Sequence, residues 1–364
     1  MQLHTPTQEP GLATALKVVY QWKYEPDVEA LRRLYQKGVD LQWSAERELP
    51  WDTPIDMAKM ESTPLSSTIP FEKSTFFRSL SEEKRWELAR RGAAFRLSNF
   101  LHGEQGALMV AAQLVNAVPH TDAKFYAATQ TMDEARHVEV FARYIEKLDC
   151  VRPIAPALKG VLDSTLSTGN WMHKLVGMQI VVEGLALFAF RRMRQMTQEP
   201  LLKQLLTYVS QDEARHHAFG VQYIAQCVPQ LAPAELVELE DFALEAAMKL
   251  VGNANEQGLM AALLEAVAEL GIDVVAMIES VRAESAELMA GLPRLHQLGP
   301  ISGLILPTLE RCGLLSERVA THYHAFLREG VLDRSIVGDS VQEFMRILPD
   351  LPEDTALWVL SEVD

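Results

Sequence analysis

Two identical pentapeptides, Asp133-Glu134-Ala135-Arg136-His137 and Asp212-Glu213-Ala214-Arg215-His216, decide how this chain is read. Each has a glutamate upstream of its own, Glu104 before Glu134 and Glu183 before Glu213, and the two intervals are identical. The offset from Glu104 to Glu183 therefore equals the offset between the pentapeptides. The chain thus carries an internal repeat of the form Glu…Glu-x-x-His.

On an α-helix, residues three apart share a face, so Glu134 and His137 can act together, as can Glu213 and His216. The interval from Glu104 to Glu134 spans the rest of one helix, a turn and part of the next. It brings the second glutamate level with the first in an antiparallel pair. Four helices then deliver four carboxylates and two imidazoles to one interior point, the arrangement of bundle di-metal carboxylate sites. Four buried carboxylates without cations would repel or take up protons, and two divalent ions balance them. Glu183 lies within Ile180-Val181-Val182-Glu183-Gly184-Leu185, an apolar setting that does not suit an unpaired charge. Oxygen-rich ligation with one nitrogen per metal favours iron or manganese over zinc. Glu104, Glu134, His137, Glu183, Glu213 and His216 are the expected ligands, with Glu134 and Glu213 bridging. Asp133 and Asp212 are placed to accept the other ring N–H of a ligating histidine, each serving the opposite helix, with Arg136 and Arg215 neutralising them. His217 is a possible extra ligand, although it points about 100° away from His216.

The surrounding pattern is all-α. The region 27–48 reads as a helix, followed by a connection marked by prolines at 50, 54, 64 and 70. Ser79 with Glu82 has the form of a capping box, opening a helix that ends near Val118-Pro119. Further helices are expected at 122–148, capped by Thr121 or Asp122, and at 171–196 and 200–227, with Pro200 in the first turn of the last. The stretch with Pro153, Pro156 and Gly160 reads as a connection. Beyond it lie expected helices at 234–251, 256–269, 272–290 and 314–328, with short pieces after 338. The expected organisation is a tail, helix and connection over 1–78, a four-helix bundle over 79–228, and a helical extension over 229–364. Gly103, Ala107, Ala111, Phe141, Gly184, Leu187 and Phe190 are expected to border the site, and such an apolar pocket suits a hydrophobic or aromatic substrate.

A net charge of −15 without a basic cluster argues against nucleic acid or an anionic membrane as partner. No uninterrupted run of about 18 apolar residues is expected to span a bilayer. Cys150, Cys227 and Cys312 are odd in number and far apart, which points to a reducing cytosol.

These residues resemble the ferritin-like di-iron carboxylate superfamily, whose branches include multicomponent monooxygenase hydroxylases, acyl-carrier-protein desaturases, arylamine N-oxygenases and ribonucleotide reductase small subunits. The resemblance covers about residues 80–228. It implies a ferritin-like bundle, two iron ions or a Mn/Fe pair, and dioxygen as co-substrate. It also implies oxygen insertion, N-oxygenation or desaturation of a small organic molecule, an external reductase or ferredoxin as electron donor, and frequently a homodimer. The alternatives it leaves are a small-subunit-type oxidase or radical protein and a ferroxidase. The chain departs from these branches in particular places. Phe141 occupies the position of the radical tyrosine in many reductase subunits. Ala186 and Leu187 stand where monooxygenases and desaturases carry a threonine. Val209 stands where arylamine N-oxygenases carry a third histidine.

Overall fold

The computed structural model describes residues 11–63, 71–251, 264–290 and 304–326. Helices are numbered here in chain order, with single turns left unnumbered. They are α1 (Glu29–Asp40), α2 (Glu82–Ala117), α3 (Thr121–Leu148), α4 (Pro156–Ser167), α5 (Trp171–Met196), α6 (Pro200–Cys227), α7 (Pro233–Val251), α8 (Val274–Ala290), α9 (Leu306–Arg311) and α10 (Glu317–Phe326). No strand occurs among the described residues. The architecture is a ferritin-like helical bundle, with α2, α3, α5 and α6 at its centre.

Local chemistry sets the ends of these four helices. Ser81 caps α2 through the amide of Lys84, and Glu82 and Glu83 lie in the first turn, where the helix dipole favours anions. Ser79 is not the cap; it closes the preceding turn, Thr75–Ser79. His120 precedes α3 without a side-chain cap. Asp122 instead accepts the amides of Asp27 and Val28 and pairs with Arg32, tying α1 to α3. Glu199 caps α6, accepting from Leu201 and Leu202, with Pro200 following it.

The turns between partners explain the repeated interval. Glu104 lies as far before the end of α2 as Glu134 lies beyond the start of α3. Glu183 and Glu213 stand in the same relation to the end of α5 and the start of α6. Equal arms of about 20 Å on each side of a short turn bring each pair to one level.

The sequence pattern predicts a connection over 153–160, but Pro156–Ser167 is helical. Pro156 occupies the first turn, and Leu158, Val161, Leu162 and Leu166 are buried at helical spacing. α4 packs closely on α2: a Cβ on Gly106 would come within 2.6 Å of Leu162. The first expected helix is also shorter than read, since α1 ends at Asp40 and only Ala45–Glu48 turns again. In the C-terminal region, residues 264–269 and α8 fall where helices were expected. Residues 256–263, 327–328 and the pieces after 338 lie outside the described residues, as do 1–10 of the expected tail.

One apolar cluster runs from Val28 to Tyr323 and includes residues of α2 to α7, so flanking segments share the bundle's interior. A second joins Trp51 and Met60 to α2, α3, α5 and α6 at the other end. α5 alone among the described helices is long and apolar enough to cross a membrane. Most of its apolar stretch is buried and it carries Glu183, so it is the core helix of the bundle.

Candidate metal centre

The repeat closes on itself in space. Glu104, Glu134, His137 and Glu213 offer ligand atoms within 4.8 Å of one another, and so do Glu134, Glu183 and His216. All six side chains are buried. Glu134 belongs to both groups: its Oε2 is 3.3 Å from His137 Nδ1 and its Oε1 is 3.0 Å from His216 Nδ1. Glu213 also lies between the histidines, with Oε1 at 3.1 Å from His137 Nδ1 and 3.8 Å from His216 Nδ1. Glu104 Oε2 stands 3.2 Å from His137 Nδ1.

The far nitrogens define the tautomers. His137 Nε2 meets Asp212 Oδ2 at 3.0 Å, and His216 Nε2 meets Asp133 Oδ2 at 3.2 Å. Each aspartate thus serves the histidine of the opposite Glu-x-x-His helix. With Nε2 donating to the aspartate, Nδ1 is the nitrogen turned to the glutamates, where it holds a proton in the metal-free protein and would offer its lone pair to a cation that displaces that proton. Arg136 bridges Asp133 (2.5 Å) and Asp212 (2.9 Å), and Arg215 pairs with Asp212 and lies 3.7 Å from Asp133. Two arginines cancel two aspartates, leaving the four glutamates as the uncompensated charge.

Three further partners escaped the sequence reading. Gln130 is fully buried and donates to Glu134 Oε1 (3.1 Å) and Glu183 Oε1 (2.7 Å). Its position one helical turn before Glu134 was the available signal. Gln42 donates to Asp133 and accepts from Arg136, and Trp43 Nε1 donates to Asp212 at 2.7 Å. The Arg136 guanidinium also lies 4.7 Å over the Trp43 ring. Both come from the segment after α1, at sequence distances no periodicity can register.

Glu183 follows a π-helical stretch, Val176–Val182, in which the Glu183 amide bonds to the Met178 carbonyl, a wider step than that of an α-helix. The Gln179 carbonyl in that stretch also accepts from His217 Nδ1 at 2.8 Å. An inserted donor of this kind is a recognised cause of a widened turn. His217 Nε2 meets Thr308 Oγ1 at 3.3 Å, so both ring nitrogens have protein partners and His217 is absent from the two ligand groups.

The expected bordering residues divide. Ala107 and Ala111 are buried on the Glu104 side of α2, and Leu187 is buried one turn beyond Glu183. Phe141 and Phe190 stack at 5.6 Å beside Phe100, one turn and two turns beyond His137 and Glu183. Val209 is fully buried in this same end of the bundle. Gly184 faces elsewhere: a Cβ there would meet His217 and Ile305 at 3.3 and 3.4 Å. Gly103 is half-buried, and a Cβ there would meet nothing within 4 Å.

Electrostatics makes the case for cations. Glu134 Oε2, Glu183 Oε2, both oxygens of Glu213 and His216 Nδ1 are buried without a hydrogen bond, although several lie near one another. Burial and the repulsion of Glu213 push Glu104 well above the usual carboxylate range; burial with Glu134 and Glu213 does the same to Glu183. Burial would raise Glu134 too, but the adjoining imidazoles hold it low. Burial would lower His137, yet hydrogen bonds to Asp212 and the glutamates raise it; burial would likewise lower His216, which the Glu134 charge raises. The protein alone can tolerate this cluster only by loading it with protons. Unpaired acceptors converging at two points, with four negative charges, fit a pair of divalent ions.

The sequence profile of the P-aminobenzoate N-oxygenase AurF family matches residues 25–262. The chain belongs to this family. It is accordingly an oxidoreductase of the di-iron type that activates dioxygen and acts on an organic substrate. Comparison with curated protein sequences finds no match. Similar solved structures include an R2-like ligand-binding oxidase with aerobically reconstituted Mn/Fe cofactor, 14% identical over 82% of this chain and 98% of that one, TM-score 0.46. Another is an R2-like ligand-binding oxidase with aerobically reconstituted metal cofactor after photoconversion, 16% identical over 81% and 95%, TM-score 0.44.

Proposed function

We propose that Glu104, Glu134, His137, Glu183, Glu213 and His216 hold the metal pair, with Glu134 and Glu213 shared, and that the enzyme oxygenates a small aromatic amine. The observation that carries the ligand assignment is the set of buried, unpartnered oxygens facing two histidines whose far nitrogens are fixed by crossed aspartates. The family's printed activity supports the amine.

The bound iron pair supplies dioxygen reduction and substrate oxidation. The chain's own residues do the rest. Asp212 and Asp133 anchor Nε2–H of each histidine, so that Nδ1 is the nitrogen that would face the metal. Arg136 and Arg215 confine the aspartates' charge, so that it does not add to that of the glutamates. Gln130 holds Glu134 and Glu183 by Oε1 of each, leaving both Oε2 atoms without a hydrogen-bond partner. Phe100, Phe141 and Phe190 wall one end of the cluster with apolar surface and exclude water there. This centre offers two histidines where arylamine N-oxygenases carry a third, because Val209 occupies that position. An external reductase or ferredoxin as electron donor, a homodimer and a cytosolic location complete the proposal. Three free cysteines agree with a reducing compartment.

Reduced, iron-loaded protein mixed with ¹⁸O-labelled dioxygen and a panel of arylamines tests this reading. Label on the amine nitrogen is the expected result. Two bound ions with oxygen consumed but no labelled nitrogen in any product would remove the arylamine assignment while keeping the metal centre. A hollow multimer that mineralises iron would replace both with a ferroxidase.

A further inference from the structure

A file of aromatic side chains leads away from the metal cluster toward the end of the bundle opposite Phe141. Tyr126, one turn before Gln130 on α3, lies 4.6 Å from Phe219 between ring centroids. Phe219 lies 5.8 Å from Tyr223, and Tyr223 stacks on Trp171 at 5.0 Å. His216, Phe219 and Tyr223 share one face of α6, so Tyr223 stands about 10 Å along the helix from His216. Tyr126, Phe219 and Tyr223 are buried, whereas Trp171 is half-buried.

The two tyrosines differ in what an electron loss would require. A phenol that gives up an electron at neutral pH must also give up its proton. The Tyr126 hydroxyl is buried with no protein partner. The Tyr223 hydroxyl lies 2.7 Å from Nδ1 of His120, a half-buried residue at the start of α3. With His120 neutral and protonated on Nε2, the phenol donates to Nδ1, and the imidazole is a ready proton acceptor with access toward solvent. The ligand assignment uses neither Tyr223, His120 nor Trp171.

We infer that the Tyr223–His120 pair is a one-electron relay between the metal centre and the surface at Trp171, discharging the oxidised centre when no organic substrate is bound. The inference rests on the proposed metal centre. In the step, Tyr223 passes one electron to the dioxygen-oxidised centre and its phenolic proton to His120 Nδ1, leaving a neutral tyrosyl radical and an imidazolium. A soluble one-electron reductant then returns an electron by way of Trp171, and the proton goes back from His120 to Tyr223. One electron and one proton leave Tyr223 and one of each return.

Two arms of one experiment test this with the full chain, each read by freeze-quench high-field EPR. In the first, metal-free protein is oxidised by flash-generated ruthenium(III) tris-bipyridine. All measurements use a Tyr144→Phe background, because the buried Tyr144 hydroxyl also donates a hydrogen bond, to Glu199. In it a tyrosyl radical with the g-shift of a hydrogen-bonded phenoxyl is expected, distinct from any radical on the exposed Tyr20 and Tyr24. It should vanish in Tyr223→Phe and form several-fold more slowly in His120→Gln. In the second, iron-loaded reduced protein meets dioxygen without substrate. The same radical is expected, and Trp171→Phe should lengthen its lifetime several-fold in the presence of ascorbate. A hydrogen-bonded radical that survives in Tyr223→Phe overturns the relay. So does loaded protein with Tyr223 and His120 intact that is oxidised by dioxygen without that radical. If iron does not load, the metal centre fails, and the ruthenium arm alone decides whether Tyr223 and His120 form the redox pair: no hydrogen-bonded radical there overturns it. Thermal melting of each variant confirms that it folds.

Discussion

Asp212→Asn should weaken one metal position and largely spare the other. Four donors converge on this carboxylate: His137 at 3.0 Å, Arg136 at 2.9 Å, Trp43 at 2.7 Å, and Arg215. Asparagine keeps the shape but replaces one oxygen with a donor, and every neighbour of that nitrogen is itself a donor. His137 loses the partner that fixes its tautomer, and the two arginines lose half of their counter-charge. Loss of a carboxylate behind a ligating histidine costs roughly 10–100-fold in metal affinity, about 1.4–2.7 kcal/mol. The crowding of donors places this variant toward the upper end. His216 keeps Asp133, so the ion held with Glu134 and Glu183 should bind nearly as before. Anaerobic ferrous titration against a competing chelator measures both positions, with Asp133→Asn as the mirror experiment. Unchanged affinity at both positions in either variant, or equal loss at both in each, would refute the crossed pairing as the basis of ligand orientation.

Alanine at Glu134 or Glu213 should abolish loading of the pair, since each lies between the two histidines; normal iron content by elemental analysis would count heavily against their shared role. Without metal, the protein should lose stability as pH rises. The raised carboxyls of Glu104 and Glu183 bind protons more tightly folded than unfolded, so their contribution declines from about pH 4.5 upward. The raised imidazoles of His137 and His216 add to the decline from about pH 6.5. Glu134 and Asp212, held low, act only below their ordinary values of 4.5 and 3.8. Metal-free protein should thus show a falling Tm toward alkaline pH that iron flattens; a rising Tm would contradict the proton-loaded cluster. Gly220→Ala puts a Cβ 2.6 Å from that of Gln179 in the π-helical stretch. Overpacking there should cost about 1–3 kcal/mol in denaturant unfolding, and a neutral substitution would show that α5 and α6 are not held this close.

The six ligand candidates are legible because helix geometry converts fixed spacings into shared faces. Glu134 and His137 need only the rule that positions three apart align, and the matched arms on each side of both turns are a property of chain length. α4 is hidden because Pro153, Pro156 and Gly160 together resemble a connection, although Pro153 precedes the helix and Pro156 only opens it. Ser79 imitates a cap because Ser79 and Ser81 both fit the local signal; the phase of the preceding turn selects between them.

The sequence alone determined the bundle, its repeat and the six candidate ligand residues, because these follow from local periodicity and from charges that burial cannot leave unpaired. The tertiary structure decided which aspartate serves which histidine, that Gln130, Gln42 and Trp43 reach the centre, and that His217 turns to Gln179 and Thr308. These are contacts between helices distant in the chain. Their partners are set by how the helices rotate and cross, and a single sequence encodes that only through the packing of the whole interior.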